Sequence, residues 1–247
     1  MNAALKATLA PARRPCGSLS VRVTGELCVL RCSGALWLPT HQTLVAADLH
    51  LEKGSAFAAR GQMLPPYDSR ATLARLEAEI ADLAPARVVL LGDSFHDSRS
   101  IGRMAADDRA VLDRLAEGRD WVWLEGNHDR EALTKADPDA ASRLPGRVVG
   151  EMELGALFLT HEPMPEARDG EVAGHLHPCA RVVAHARMVR RPCFVTDGHR
   201  LILPAFGAFT GGLNVRDAAI AGLFSAPPMA AALGRDRVHA LAWAGLV

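Results

Sequence analysis

No apolar run in this chain approaches the roughly 20 residues that a membrane-spanning helix needs. Lysine is nearly missing: only Lys6, Lys53 and Lys135 occur, so positive charge rests on arginine. Lys plus Arg number 28 and Asp plus Glu number 28, a formal net charge of zero, so no global basic field advertises nucleic acid, although a local patch could. One tyrosine and an aromatic share of 5% leave little surface for stacking bases. Five cysteines, at 16, 28, 32, 179 and 193, make an odd set without a C-x-x-C pair, the usage expected of reduced thiols in a cytoplasmic protein. The opening MNAALKATLAPARRPC has a lysine inside a very short apolar run and arginines after it, the wrong order for a secretory signal. The expectation is a soluble, cytoplasmic protein.

What is present is enough for a core. The 247 residues are 49% hydrophobic and 23% charged, the balance of a globular chain. Residues 1–15 read as a flexible tail and 16–247 as a single domain. SVRVTGELCVLR predicts two strands around Thr24-Gly25, and ALWLP and QTLVAAD two more. Asp68 is placed to cap a helix in which Leu73, Leu76, Ile80 and Leu83 recur at helical spacing. RVVLLGD and WVWLEGN are continuous apolar runs of the kind that form buried strands. A helix is expected over about 106–117, and another from DREALTKA. Beyond residue 147 the texture turns to strands, with Asp197-Gly198 marking a hairpin. Strand–helix alternation followed by a strand-rich half points to one α/β domain of two facing sheets with outer helices.

Each buried strand delivers polar residues at its C-terminal end. TLVAADLH ends in Asp48 and His50; VVLLGDSFHD in Asp93, with His96 and Asp97 beyond; VWLEGNHD in Asn127, His128 and Asp129; ALFLTHEP in His161; EVAGHLHP in His175 and His177. Strand C-termini are where α/β sheets place their sites. One Asp after a strand is ordinarily a turn residue or helix cap. Five motifs at the same structural position are not explained that way. Gly92 and Gly126 sit where the backbone must turn sharply or approach a ligand closely. On a strand, His175 and His177 would point to the same side and present two imidazoles to one point.

The ordered set D-x-H, G-D, G-N-H-D, H and G-H-x-H, over roughly residues 43–178, resembles the calcineurin-like metallophosphoesterases. That resemblance implies a four-layer αββα double β-sandwich and two divalent metals. Carried over by motif, Asp48, His50 and His177 hold one metal, Asn127, His161 and His175 the other, and Asp93 bridges them. His175 and His177 are then divided between two ions. Carboxylate, amide oxygen and imidazole donors suit Mn²⁺ foremost, with Fe or Zn²⁺ as alternatives, and are too nitrogen-rich for Ca²⁺. The implied chemistry is in-line attack by a hydroxide bridging two cations, with no covalent nucleophile. His128 is then the catalytic acid or transition-state donor, and Asp129 its orienting partner.

GDSFHD with Arg99 after it resembles the segment of double-strand-break repair nucleases, which places His96, Arg99 and, by position, Arg130 against substrate. Arg60 and Arg103 are further candidates to grip phosphates. DLHLEKGSAFAARGQMLPPYDSRATLARL and LPAFGAFTGGLNVRD resemble the bacterial ligase-associated DNA damage response endonucleases. DNA is the implied substrate, with functional links to a DNA ligase, a helicase and an exonuclease. Glu52 stands where many of those relatives have glycine. The alternatives are a small-molecule nucleotide or metabolite phosphoesterase, favoured by neutral charge and scarce aromatics, and a catalytically weak metal-stabilised scaffold.

Overall fold

A computed structural model describes residues 1, 3–62, 65, 67–126, 144–166, 168–184 and 187–247. Turn chemistry sets the first sheet going. Strands β2 (Leu19–Val23) and β3 (Glu26–Leu30) pair antiparallel with Val23 opposite Glu26. Between them Thr24 and Gly25 have φ of 48° and 84°, the two left-handed positions that match a tight hairpin to strand twist. With β1 (Ala12–Arg13), β4 (Leu36–Leu38), β5 (Thr43–Ala46), β6 (Arg87–Leu91), β7 (Asp120–Leu124) and β8 (Arg147–Val149) they form one sheet in sequence order. From β5 to β8 the pairing is parallel. The inner members β5, β6 and β7 are buried on both faces, as their unbroken apolar runs predict.

The second sheet is made from β9 (Met152–Leu154), β10 (Leu157–Leu159), β11 (Glu171–Ala173), β13 (Arg187–Thr196), β14 (Arg200–Ile202), β15 (Met229–Leu233) and β16 (Val238–Ala242). Its order is β16-β15-β13-β14-β11-β10-β9, and β12 (Cys179–Ala184) pairs with β13 as a ribbon off that path. The Asp197-Gly198 turn joins β13 to β14 as expected, with Gly198 at φ 93°.

Three apolar clusters hold the layers. Val21, Leu36, Val45, Val89 and Val122 of the first sheet meet Leu159, Val172, Phe194 and Leu201 of the second. The outer face of the first sheet packs on α3 (Asp68–Leu83) and on the helix Ala106–Ala116, with Leu73, Leu76, Ile80, Leu112 and Leu115 against Val88, Leu90 and Trp123. Over the second sheet lie Val215, Ile220, Phe224 and Leu246. The helix there, Ala218–Ala221, is a single turn, so the fourth layer is thin. Truncating one of these fully buried leucines to alanine costs about 2–5 kcal/mol.

Two local expectations change. Within the segment read as a flexible tail, α1 (Ala3–Leu9) is helical and Leu9 is fully buried in the central cluster, because the apolar end of the helix packs against β2. Asp68 does not cap its own helix: its carboxylate accepts from the Gly54 backbone N–H at 3.0 Å, at the start of α2 (Lys53–Ala58). The helix expected from DREALTKA lies outside the described residues. Among the described residues, no helix is long and apolar enough to cross a membrane.

Candidate metal centre

The C-terminal ends of β5, β6, β10 and β11 bring six candidate ligands together as two groups. Asp48, His50 and His177 form one; Asp93, His161 and His175 form the other. In the first, His50 Nε2 lies 3.2 Å from His177 Nε2, and His177 Nε2 lies 3.4 Å from Asp48 Oδ1. In the second, His161 Nε2 lies 3.2 Å from His175 Nδ1 and 3.4 Å from Asp93 Oδ1. Donors sharing one cation at about 2.0–2.2 Å stand roughly 3–3.5 Å apart, so both sets have the spacing of a coordination sphere. Their mix of carboxylate and imidazole fits a borderline divalent ion. Asn127, expected as a further ligand, lies outside the described residues, as do His128, Asp129 and Arg130.

The two histidines of GHLHP therefore part company. They do not sit on a strand: β11 ends at Ala173, and His175 and His177 have φ of 66° and 46°. These left-handed turns remove the same-side rule of an extended strand and send the rings to different groups. Asp48, His50, Glu52 and Asp93 are left-handed as well, at φ 55°, 45°, 67° and 46°. Each such non-glycine residue costs about 1–2 kcal/mol. Strain of this kind persists where surrounding bonds over-determine it. Here Asp48 N–H donates to Gly92 O (3.1 Å), His50 N–H to Asp93 O (2.9 Å) and Leu51 N–H to Ser94 O (2.8 Å), which stitches the first ligand loop to the second.

Outer contacts aim the ligands. The carbonyl of Leu91 is 3.1 Å from His161 Nδ1 and takes its N–H, which leaves Nε2 to face Asp93 and His175. Burial works against protonating His161, yet its hydrogen bond to Asp93 and the charges of Asp48 and Asp93 push its pKa up to about 9. The ring is thus in a strongly cation-favouring field. Asp48 Oδ2 accepts from the His175 backbone N–H at 2.9 Å, a bond that crosses from one group to the other. Behind β11, the buried Glu171–Arg200 pair at 2.5 Å anchors the loop after His161. Glu171 accepts from Met164 N–H (2.6 Å), and Arg200 donates to the Met164 carbonyl (2.7 Å). Burial raises the Glu171 pKa, against the pull of the Met164 N–H and of Arg200.

Glycine is required at two of these approaches. A Cβ on Gly92, whose φ is 73°, would fall 2.2 Å from His161 Nδ1. One on Gly126 would fall 2.2 Å from Asp93 N and 2.4 Å from its carboxylate. Both were legible as glycines at strand ends; the atoms they yield to were not.

The groups open into a cavity of about 460 Å³ lined by His50, Lys53, His96, His175, Leu176, His177 and the 211–213 segment. His96 is there, as expected. Arg99 is exposed and Arg103 is held by Asp97 at 2.8 Å and by Ser55 at 3.0 Å, while Arg60 is exposed on the loop after α2. None of these three lines the cavity. Sequence reasoning missed Lys53, Leu176 and Gly211–Leu213 as walls, and Glu162, whose Oε1 is 3.9 Å from His175 Nε2. Nothing in the local pattern distinguishes them.

No protein-family model and no curated protein matches the chain. Among solved structures, the nuclease MPE of Pseudomonas putida is 29% identical, covers 91% of this chain and 100% of its own, and superposes with a TM-score of 0.69. The chain is similar to the calcineurin-like metallophosphoesterases in fold and in its paired candidate ligand groups. Its two facing sheets and paired aspartate–histidine groups are those that the family resemblance implies. Yfce, a phosphoesterase from E. coli, is 17% identical over 81% of this chain and 98% of its own chain, with a TM-score of 0.41, and adds nothing to the assignment. The chain is a metal-dependent phosphoester hydrolase.

Proposed function

We propose that this chain is a dinuclear phosphodiesterase that cleaves DNA, and that it serves DNA repair beside a ligase, a helicase and an exonuclease. The observation that carries the reading is the pair of three-ligand groups opening into one cavity, in a chain 29% identical to a nuclease over nearly its whole length. Asp48, His50 and His177 would hold one cation, and Asp93, His161 and His175, with Asn127, the other, Asp93 being shared. When bound, two such ions, Mn²⁺ foremost, supply positive charge for the phosphoryl oxygens and acidify an attacking water.

The protein's own groups do the rest. The Leu91 carbonyl holds His161 in one tautomer, and the His175 N–H holds the Asp48 carboxylate, so the donors are arranged before substrate arrives. His96, on the cavity wall, would donate to a phosphoryl oxygen, and Lys53 would add positive charge at the rim, where its Nζ also donates to the Phe209 carbonyl at 2.9 Å. His128 is assigned the proton delivered to the leaving oxygen.

A cavity of about 460 Å³ also accommodates a single nucleotide, which favours a second reading as a nucleotide or metabolite phosphoesterase. A substrate panel on Mn²⁺-loaded protein, comprising an oligonucleotide, an aryl phosphodiester and nucleotide metabolites, tests both. Oligonucleotide cleavage that is lost on chelation supports the first. Fast turnover of a metabolite with intact oligonucleotide establishes the second. His128→Ala should keep both metals and slow turnover by roughly 10²–10⁴-fold.

A further inference from the structure

The β12–β13 ribbon stands apart from the rest of the chain in charge. Residues 179–193, CARVVAHARMVRRPC, carry four arginines and no acidic residue, in a protein whose charges cancel only over the whole chain. The ladder pairs Arg181 with Arg190 and Val183 with Met188. Directly opposed residues of an antiparallel pair, and alternate residues along each strand, share a face. Arg181, Val183, Met188 and Arg190 are therefore on one side of the ribbon. On that side Val183 is 63% and Met188 65% exposed. From the other side, Ala180 is buried and Val182 packs on the apolar cluster around Val195, Ile202 and Phe224. The ribbon is thus held by one face and presents the other.

That presented face pairs two like charges directly across the ladder. Such a pairing destabilises a sheet by a few tenths to about 1 kcal/mol, unless an anion lies against it. The face also begins at the metal cavity. Strand β12 starts two residues after His177. Its first residue donates from Cys179 N–H to Leu213 O (2.8 Å) and accepts from Val215 N–H (3.0 Å), and Arg190 Nη2 donates to Gly212 O at 2.6 Å. Gly212 and Leu213 are part of the cavity wall.

We propose that this face is the track along which a DNA strand leaves the metal cavity, with Arg181 and Arg190 gripping successive phosphates and Val183 and Met188 supporting the sugar and base faces between them. The proposal rests on the reading of this chain as a DNA-cleaving phosphodiesterase, and it supplies the phosphate grip that net charge concealed. It also differs from the grip expected of Arg60, Arg99 and Arg103. Charge complementarity commits the face to a polyanion, and the exposed apolar pair to one with hydrophobic faces between its charges.

The test uses full-length Mn²⁺-loaded protein, a fluorescein-labelled oligonucleotide and bis(p-nitrophenyl) phosphate. Arg181→Glu and, separately, Met188→Glu are compared with the unmodified chain. Each should weaken oligonucleotide binding about tenfold or more, Arg181→Glu by losing a charge-assisted contact and Met188→Glu by setting a carboxylate against the phosphates. Arg181→Glu should also flatten the log–log salt dependence by about one unit. Both variants should hydrolyse the aryl diester within about twofold of the original rate, with metal content unchanged. Unaltered oligonucleotide affinity and salt slope in both variants, in a protein that cleaves DNA, overturns the track and leaves the nuclease reading standing. Equal losses on both substrates overturn it too, by making the ribbon a structural support. Aryl diester hydrolysis without any oligonucleotide binding by the unmodified chain overturns the nuclease reading and the track together.

Discussion

His50 and His177, 127 residues apart in the chain, bring their Nε2 atoms to 3.2 Å of each other. Two imidazoles so close, beside the Asp48 carboxylate at 3.4 Å from His177, gain most by pointing their lone pairs at one cation. His177→Ala should therefore lower bound metal, measured by elemental analysis after Mn²⁺ loading and gel filtration, from two ions per chain to about one. Asp93→Asn should lower metal content further and abolish turnover, because Asp93 belongs to the second group and is the residue assigned to both ions. Two ions retained in either variant would remove that residue from the coordination sphere.

Gly92→Ala should act as a ligand mutation although glycine itself offers no ligand atom. Its φ of 73° adds about 1 kcal/mol of backbone strain for any other residue. The new methyl would also displace His161 from Leu91. Thermal denaturation should show a lower Tm, and metal titration should show selective weakening of the Asp93–His161–His175 site. A variant with normal affinity at both sites would show that the loop yields at no cost.

Glu52 separates strain from hydrogen bonding. Its φ of 67° suits glycine, yet its buried carboxylate accepts from Ser55 Oγ (2.7 Å) and Ser69 Oγ (2.8 Å). Glu52→Ala loses both bonds and keeps the strain, whereas Glu52→Gly loses the bonds and relieves it. In urea melts the glycine variant should be more stable than the alanine variant by about 1 kcal/mol. Equal midpoints would mean that the loop relaxes out of the left-handed region once the carboxylate is gone.

Asp120 gives a pH signature far from the ligands. It joins three parallel strands, accepting from Arg87 at 2.6 Å and Arg147 at 3.2 Å, and these hydrogen bonds hold its pKa below the ordinary aspartate value. A depressed folded-state pKa contributes stability that is present above the unfolded value and lost as pH falls through the folded one. Because the carboxylate is partly solvated, the contribution is at most about 1 kcal/mol. Asp120→Asn should therefore be less stable than the original at pH 7, and the two should converge below about pH 4. A gap that is the same at pH 3 and pH 7 would assign the loss to packing.

Much of this protein is determined by local pattern. Continuous apolar runs made RVVLLGD and WVWLEGN into buried parallel strands, helical spacing placed Asp68–Leu83, and Asp197-Gly198 closed a hairpin, because each depends on contacts a few residues apart. The candidate ligands were legible for a related reason: parallel strands within each sheet end at a common edge, so polar residues at successive C-termini gather there. Tertiary structure decided what depends on backbone direction and on distant neighbours. It turned His175 and His177 apart through left-handed backbone that no strand rule anticipates, and it gave Asp68 to Gly54 rather than to its own helix. It engaged Arg103 with Asp97 and built the cavity wall from residues 211–213. Such assignments are set by which side chains arrive at the same place, and that is a property of the packed sheets rather than of any stretch of sequence.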